Sequence, residues 1–179
     1  MVVDQIRQSG GDALAVKVDC ANEGEVGLLG IHPWMARKID VLVLNHGAYN
    51  RVAADELTIE TLRETMAVNF EGSVAVWKAI QPHLSEEARM VVVGSQLGTK
   101  GSPHGADYSA SKAALAVWAR SLAQQVGPEG KRVNILAPGY VDTAILAGDS
   151  QSKREQRENE VPLKRVGTCL LYTSDAADD

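Results

Sequence analysis

Cysteine is scarce in this chain, and so are phenylalanine, long apolar runs and clustered charge. Two cysteines, Cys20 and Cys169, are too few for a disulfide framework or a cysteine-rich metal site. No run of Lys and Arg is present and the formal net charge is -5, which argues against a grip on nucleic acid or an anionic membrane. No apolar stretch approaches the roughly 18 residues of a membrane span. No basic segment followed by an apolar run opens the sequence, as it would in a secretory signal. The four histidines, His32, His46, His83 and His104, share no ligand spacing, so no metal is expected. A cytoplasmic protein is the default expectation.

What is present suits one domain large enough to bury a core: 179 residues, 45% hydrophobic and 23% charged, with 16 glycines. The last eleven residues, 169–179 (CLLYTSDAADD), are expected to be foreign, because they can be back-translated into a transposon sequencing adapter read in frame. Setting this tail aside leaves Cys20 as the only native cysteine, brings the charge nearer zero, and puts the expected domain at residues 1–168.

Short apolar, β-branched runs alternate with longer helical patterns. Strands are expected at 13–18, 39–44, 90–93 and 133–136, each nearly continuous in apolar character, as strands covered on both faces are. Helix-length segments lie between them. Segment 23–38 is the weakest, interrupted by Gly24, Gly27, Gly30 and Pro33. Segment 61–84 is well patterned, with Met66, Phe70, Val74, Trp77 and Ile80 at three- and four-residue steps. Segment 108–126 is alanine-rich and stops before Gly127-Pro128. Such alternation predicts a doubly wound parallel α/β sheet. The polar stretch 148–160 reads either as a solvated helix face or loop, or as a mobile segment over a site.

Tyr108 and Lys112, in YSASK, share a helix face at four-residue spacing. A free phenol has a pKa near ~10, too high for a base at neutral pH, and a fixed cation beside it favours the phenolate. The pair alone also arises by chance. Thirteen residues before the tyrosine, Ser95 follows MVVVG at the carboxyl end of a strand, where open parallel sheets bind ligands. A hydroxyl there can donate to a carbonyl oxygen as charge develops on it. Asn69 sits inside a helix, where its amide competes with the backbone. Taken singly, Ser95 reads equally as a strand-end turn and Asn69 as a solvent-facing polar residue.

In order along the chain, these residues resemble the short-chain dehydrogenase/reductase family in its compact single-domain form. The resemblance runs from about residue 1 to Thr168. It rests on Asp19 after the first apolar run, on Leu44-Asn45-His46-Gly47 where the family has Asn-Asn-Ala-Gly, and on Asn69, Ser95, Tyr108 and Lys112 as the tetrad. Pro138-Gly139-Tyr140-Val141-Asp142-Thr143 matches the family's Pro-Gly-x-Val-x-Thr loop, and Arg165-Val166-Gly167-Thr168 looks like the opening of its next block. The resemblance implies an NAD(P)-dependent oxidoreductase interconverting a secondary alcohol and a ketone, acting on a small molecule and forming a dimer or tetramer through its two long helices. It makes Tyr108 the general acid/base and gives Lys112 the tasks of lowering its pKa and binding the nicotinamide ribose. Ser95 would polarise the carbonyl, and Asn69 would hold a water in the proton relay. Asp19 would bind the adenine, Asn45 and Gly47 would line the adenosine side, and Val141 with Thr143, in the loop opened by Pro138 and Gly139, would hold the carboxamide. His104, Tyr140 and residues 145–148 would line the substrate pocket.

The sequence also departs from the family. The glycine-rich phosphate loop has no counterpart, and Gly10-Gly11 reads as an isolated turn. The resemblance therefore implies a Rossmann-like sheet that lacks its first two strands and its last one, so that NAD and NADP cannot be told apart. In the family's strand order the missing pair lies between 13–18 and 39–44. Loss of that pair would leave an unpaired edge, and the chain as written is expected to be inactive and poorly soluble. Leu44 replaces an asparagine that ties strands together, and His46 adds bulk near the adenosine side. A nucleotide-binding regulatory or scaffold protein of the same fold is the alternative from another class, since fold alone does not fix function. A lyase or epimerase of the extended branch is a third reading, less matched by the YSASK and Pro-Gly-x-Val-x-Thr patterns.

Overall fold

The architecture, taken from a computed structural model, covers residues 2–169 and 171. Three parallel strands, β1 (Ile39–Leu44), β2 (Leu84–Val93) and β3 (Arg132–Leu136), form one sheet in sequence order. Helices α1 (Val2–Gln8) and α2 (Glu23–Gly30) precede β1, α3 (Ile59–Met66) and α4 (Gly72–Ile80) connect β1 to β2, α5 (Leu97–Lys100) and α6 (Ala106–Val126) connect β2 to β3, and α7 (Gln151–Glu160) follows β3. This is a Rossmann-like α/β fold with an incomplete sheet. Among the described residues no helix is long and apolar enough to cross a membrane.

Three of the four expected strands form. The exception, 13–18, makes no ladder, and Leu14 and Val16 stay exposed. An apolar run becomes a strand only when a neighbour takes its backbone hydrogen bonds, and none lies beside this one. Strand β2 starts six residues earlier than expected. Its first residue, Leu84, pairs with Ile39, and the register then shifts so that Arg89 faces Val41.

One face of the sheet is packed and the other is open. Leu42 and Leu44 align with Met90 and Val92, which align in turn with Val133 and Ile135. These six face the core formed with Trp77, Ile80, Leu115, Ala119, Leu122 and Val126 from α4 and α6. On the opposite face Val41 and Val43 are 57% and 55% exposed. The expectation of burial on both faces is thus met on one only.

Capping explains several helix starts. Asn22 accepts from the N–H groups of Gly24 and Glu25 to open α2, Thr58 from Thr61 to open α3, and Ser150 from Lys153 to open α7. The expected helix over 23–38 ends at Gly30, and Pro33 opens a short 3₁₀ turn instead. The long helix expected over 61–84 is interrupted by a π-helical turn, Ala67–Glu71, with Asn69 at its centre. Single π turns inserted in α-helices re-aim side chains and are frequent at functional sites. The stretch 148–160 is largely helical: α7 turns one side to solvent and the other over a cavity. Of the foreign-tail expectation, all but residues 169 and 171 lies outside the described residues.

Candidate active site

The carboxyl ends of the three strands meet at one place, where parallel sheets bind ligands. Beyond the strand ends the ladder continues through loops: the Gly94 N–H donates to the Leu136 carbonyl (2.7 Å) and the Gln96 N–H to that of Pro138 (3.0 Å). Ser95 is thereby held beside the 138–143 loop. Its hydroxyl accepts from the Leu97 N–H at 3.1 Å and lies near enough to the Tyr108 phenol to draw its pKa down. Tyr108 projects from the first turns of α6 into the same space.

A cavity of about 560 Å³ occupies this edge. Ser95, Tyr108 and Lys112 line it, together with Asn45 and Gly47 after β1 and Pro138, Gly139, Val141 and Thr143 after β3. The structure therefore brings together every catalytic and cofactor-contact residue expected from the sequence except two. Asp19 is exposed outside the cavity, its carboxylate accepting from the Ala21 N–H at 2.9 Å in a local turn. Asn69 lies fully buried behind the cavity wall.

Asn69 works as a clamp. Its amide nitrogen donates to the Ala48 carbonyl (3.0 Å) and to Ser111 Oγ (3.0 Å), and its Oδ1 accepts from the Ala48 N–H (2.7 Å). Both amide hydrogens end on protein groups, so this side chain ties the loop after β1 to α6. A relay role for it would have to run through its remaining lone pair or its backbone. Ser111 extends the tie by donating to the Tyr108 carbonyl at 2.7 Å. His46, expected near the adenosine side, instead turns its ring to Ser73, 3.2 Å away. Burial and the Lys112 charge lower its pKa.

Lys112 is 4% exposed, and its ammonium donates to the Val93 carbonyl at 2.9 Å. It lies 5.8 Å from the centroid of the Tyr108 ring. Burial lowers its pKa to about 8. The phenol of Tyr108 departs from the expectation: burial pushes its pKa up, the hydrogen bond with Ser95 pulls it down, and Tyr49 pushes it up again. In the site as it stands the phenol holds its proton, chiefly because burial disfavours the phenolate.

Residue types suited to a nicotinamide cofactor are present. The buried ammonium has three donors, of which Val93 takes one. Gly47 leaves room where a Cβ would lie 3.3 Å from both Lys112 Nζ and Asn69 Oδ1. The donors left on Lys112 suit a hydroxyl-bearing ligand such as a ribose. Among the described residues no three His, Cys, Asp or Glu side chains group as metal ligands.

Sequence reasoning missed Tyr49. Its ring lies against Tyr108 with centroids 4.7 Å apart, and its hydroxyl donates to the His104 carbonyl at 2.8 Å. The approach depends on Gly105, at φ +151, where a Cβ would sit 2.3 Å from the Tyr49 ring. Also missed was the carboxylate of Asp149, 3% exposed, which takes Arg51 from one side and Arg157 from the other at 2.6 Å each. Of the expected substrate-pocket residues, Ile145 and Leu146 line this cavity, His104 lines an adjoining one, and Tyr140 lines both.

Residues 1–154 match the family model described as short chain dehydrogenase. An uncharacterized oxidoreductase of Methylorubrum extorquens is 34% identical over 170 residues, which is 93% of this chain and 68% of that protein. The cis-4-hydroxycyclohexanecarboxylate dehydrogenase of Sinomonas cyclohexanicum is 32% identical, over 92% of this chain and 68% of its own. A solved short chain dehydrogenase from Burkholderia cenocepacia, in complex with NADP, superposes with a TM-score of 0.85 at 32% identity, covering 93% of this chain and 69% of that one. The chain spans about two thirds of the length of these three relatives. The site geometry and these likenesses agree, and the chain belongs to the short-chain dehydrogenase family.

Proposed function

We propose that this chain carries the proton-transfer half of an NAD(P)-dependent oxidoreductase interconverting a secondary alcohol and a ketone. The observation that carries the reading is the meeting of Ser95, Tyr108 and Lys112 on one cavity wall at the carboxyl edge of the sheet. Residues 1–168 form the catalytic domain in this reading, and 169–179 a non-native tail. The Burkholderia relative binds NADP, which favours the same cofactor class here. The name of the Sinomonas relative favours a cyclic or comparable secondary alcohol as substrate.

When bound, the nicotinamide supplies or accepts the hydride. The protein positions the reacting oxygen and moves its proton. Ser95 donates a hydrogen bond to that oxygen and polarises the carbonyl. Tyr108, which keeps its proton because it is buried, delivers that proton as negative charge builds on the oxygen. Lys112 holds the ribose with its unused donors, and its charge favours the phenolate that remains. Asn45 and Gly47 would line the cofactor's adenosine side and the 138–143 loop its nicotinamide carboxamide, while Asn69 fixes the wall behind them. The entire protein is read as a cytoplasmic homo-oligomer, dimer or tetramer, with a small-molecule substrate and with neither nucleic acid nor membrane as partner.

The test uses the reading frame extended to the length of its relatives and follows NADH and NADPH oxidation against a panel of ketones. Replacing Tyr108 by Phe is expected to lower kcat by about 10²- to 10⁴-fold while leaving cofactor affinity within about twofold. Equal rates for the two proteins would assign the proton to another donor and sink the reading.

A further inference from the structure

A second cavity of about 650 Å³ adjoins the first and shares Tyr49, Gln96, Tyr140 and Arg157 with it. Its wall carries five cationic side chains, Arg51, Lys100, Lys153, Arg157 and Arg165, and one carboxylate, Glu160. Two of the cations are matched, because Asp149 takes both Arg51 and Arg157. Glu160 accepts from the Tyr140 hydroxyl at 2.7 Å and from the Gln156 amide at 3.1 Å. Lys100 Nζ donates to Gln96 Oε1 at 3.2 Å and Lys153 Nζ to Gln156 Oε1 at 3.1 Å, both neutral acceptors. Counting Asp149 and Glu160 against the five cations leaves three positive charges in excess.

Like charges gathered around a recess repel one another, and a concave low-dielectric wall concentrates their field into the space between them. Such a recess is matched by an anion. Its size is that of a small-ligand site. Because it opens into the cavity that holds Ser95 and Tyr108, one molecule can reach both.

We propose that the substrate is an alcohol or ketone bearing an anionic group, a carboxylate or a phosphate ester, and that Lys100, Lys153 and Arg165 select it. The proposal rests on the function proposed above and names its substrate class. The reacting oxygen lies at Ser95 and Tyr108, and the anion lies in the adjoining recess. Gln96 and Gln156 orient the two lysines toward it. An acidic carrier protein has the same charge, but the recess shares Tyr49, Gln96, Tyr140 and Arg157 with the Ser95–Tyr108 cavity, and a small molecule can span the two.

The test is titration calorimetry of the 179-residue chain at low ionic strength. Cyclohexanol, 4-hydroxycyclohexanecarboxylate and 4-hydroxycyclohexyl phosphate are compared, with an acidic acyl carrier protein as a fourth arm. At least one small anion is expected to bind about tenfold more tightly than cyclohexanol, with the advantage shrinking as salt is added. Which anion binds better identifies the group recognised. The combined variant Lys100→Glu, Lys153→Glu, Arg165→Glu is expected to erase the advantage, and its circular dichroism is expected to match the parent, because all three side chains are exposed. Equal binding of the three small ligands overturns the proposal. So does no binding of any, an advantage that survives charge reversal, or binding of the carrier protein alone. Because binding is read without turnover, loss of the anion preference leaves the Tyr108 reading intact, and failure of the Tyr108 reading leaves the anion preference intact.

Discussion

Lys112 is the residue on which structure and function pull hardest against each other. Its ammonium is buried, and burial lowers its pKa from 10.5 to about 8. The unfolded chain therefore keeps a proton that the folded chain releases first. Below pH 8 both forms are charged and the folded one carries the full cost, about 3 kcal/mol from the size of the shift. As pH rises from 8 to 10.5 the unfolded state binds more protons, so stability increases across that window. Folding stability measured by denaturant at pH 7.5 and pH 10 is expected to rise by about 1 to 3 kcal/mol, and the rise is expected to vanish in Lys112→Met. A fall with pH in the parent chain contradicts this account. The spacing of Tyr108 and Lys112 was legible in the sequence because a helix puts residues four apart on one face. The direction of the tyrosine's pKa was not, because it depends on how much protein covers the phenol.

Elements divide in the same way. Helix α6 and strands β1 and β3 were readable from their own residues, since alanine content, β-branching and the Gly127-Pro128 stop act locally. Residues 13–18 carry the same apolar signal as β1 yet form no strand, since a strand also needs a partner that local sequence does not reveal. The seat of α7 was equally hidden, because Asp149 meets Arg51 from a loop ninety-eight residues away. That carboxylate holds α7 over the two cavities, and its pKa is lowered chiefly by the hydrogen bond from Arg157. Its contribution is complete above the ordinary carboxylate range and is lost as pH falls through the depressed value. Replacing Asp149 by Asn leaves two guanidinium groups without their counter-charge and, with Arg51 partly screened by solvent, is expected to cost about 1 to 2 kcal/mol. Amide hydrogen exchange in Gln151–Glu160 should accelerate at least tenfold, while that in α6 stays unchanged. Unaltered exchange in α7 would mean that the ion pairs do not hold it.

At the scale of the whole molecule, the sheet has one finished face and one open face, and β1 is an edge. Val41 and Val43 stand exposed on that open face, and an open edge pairs readily with other chains. The 179-residue chain is accordingly expected to self-associate as its concentration rises, read by sedimentation velocity. A single monomeric species at all concentrations contradicts this. The proposed proton-transfer corner nevertheless keeps its shape, because Ser95, Tyr108 and Lys112 are held by β2, α6 and the Asn69 clamp. Whether the Ser95 and Tyr108 hydroxyls meet one substrate oxygen is read by vibrational spectroscopy. The carbonyl stretch of an isotope-labelled ketone bound to the protein should fall below its value in hydrocarbon solvent, and Ser95→Ala and Tyr108→Phe should each give back part of the shift. A band that does not move on binding, or that neither substitution changes, would show that the two hydroxyls do not share one oxygen.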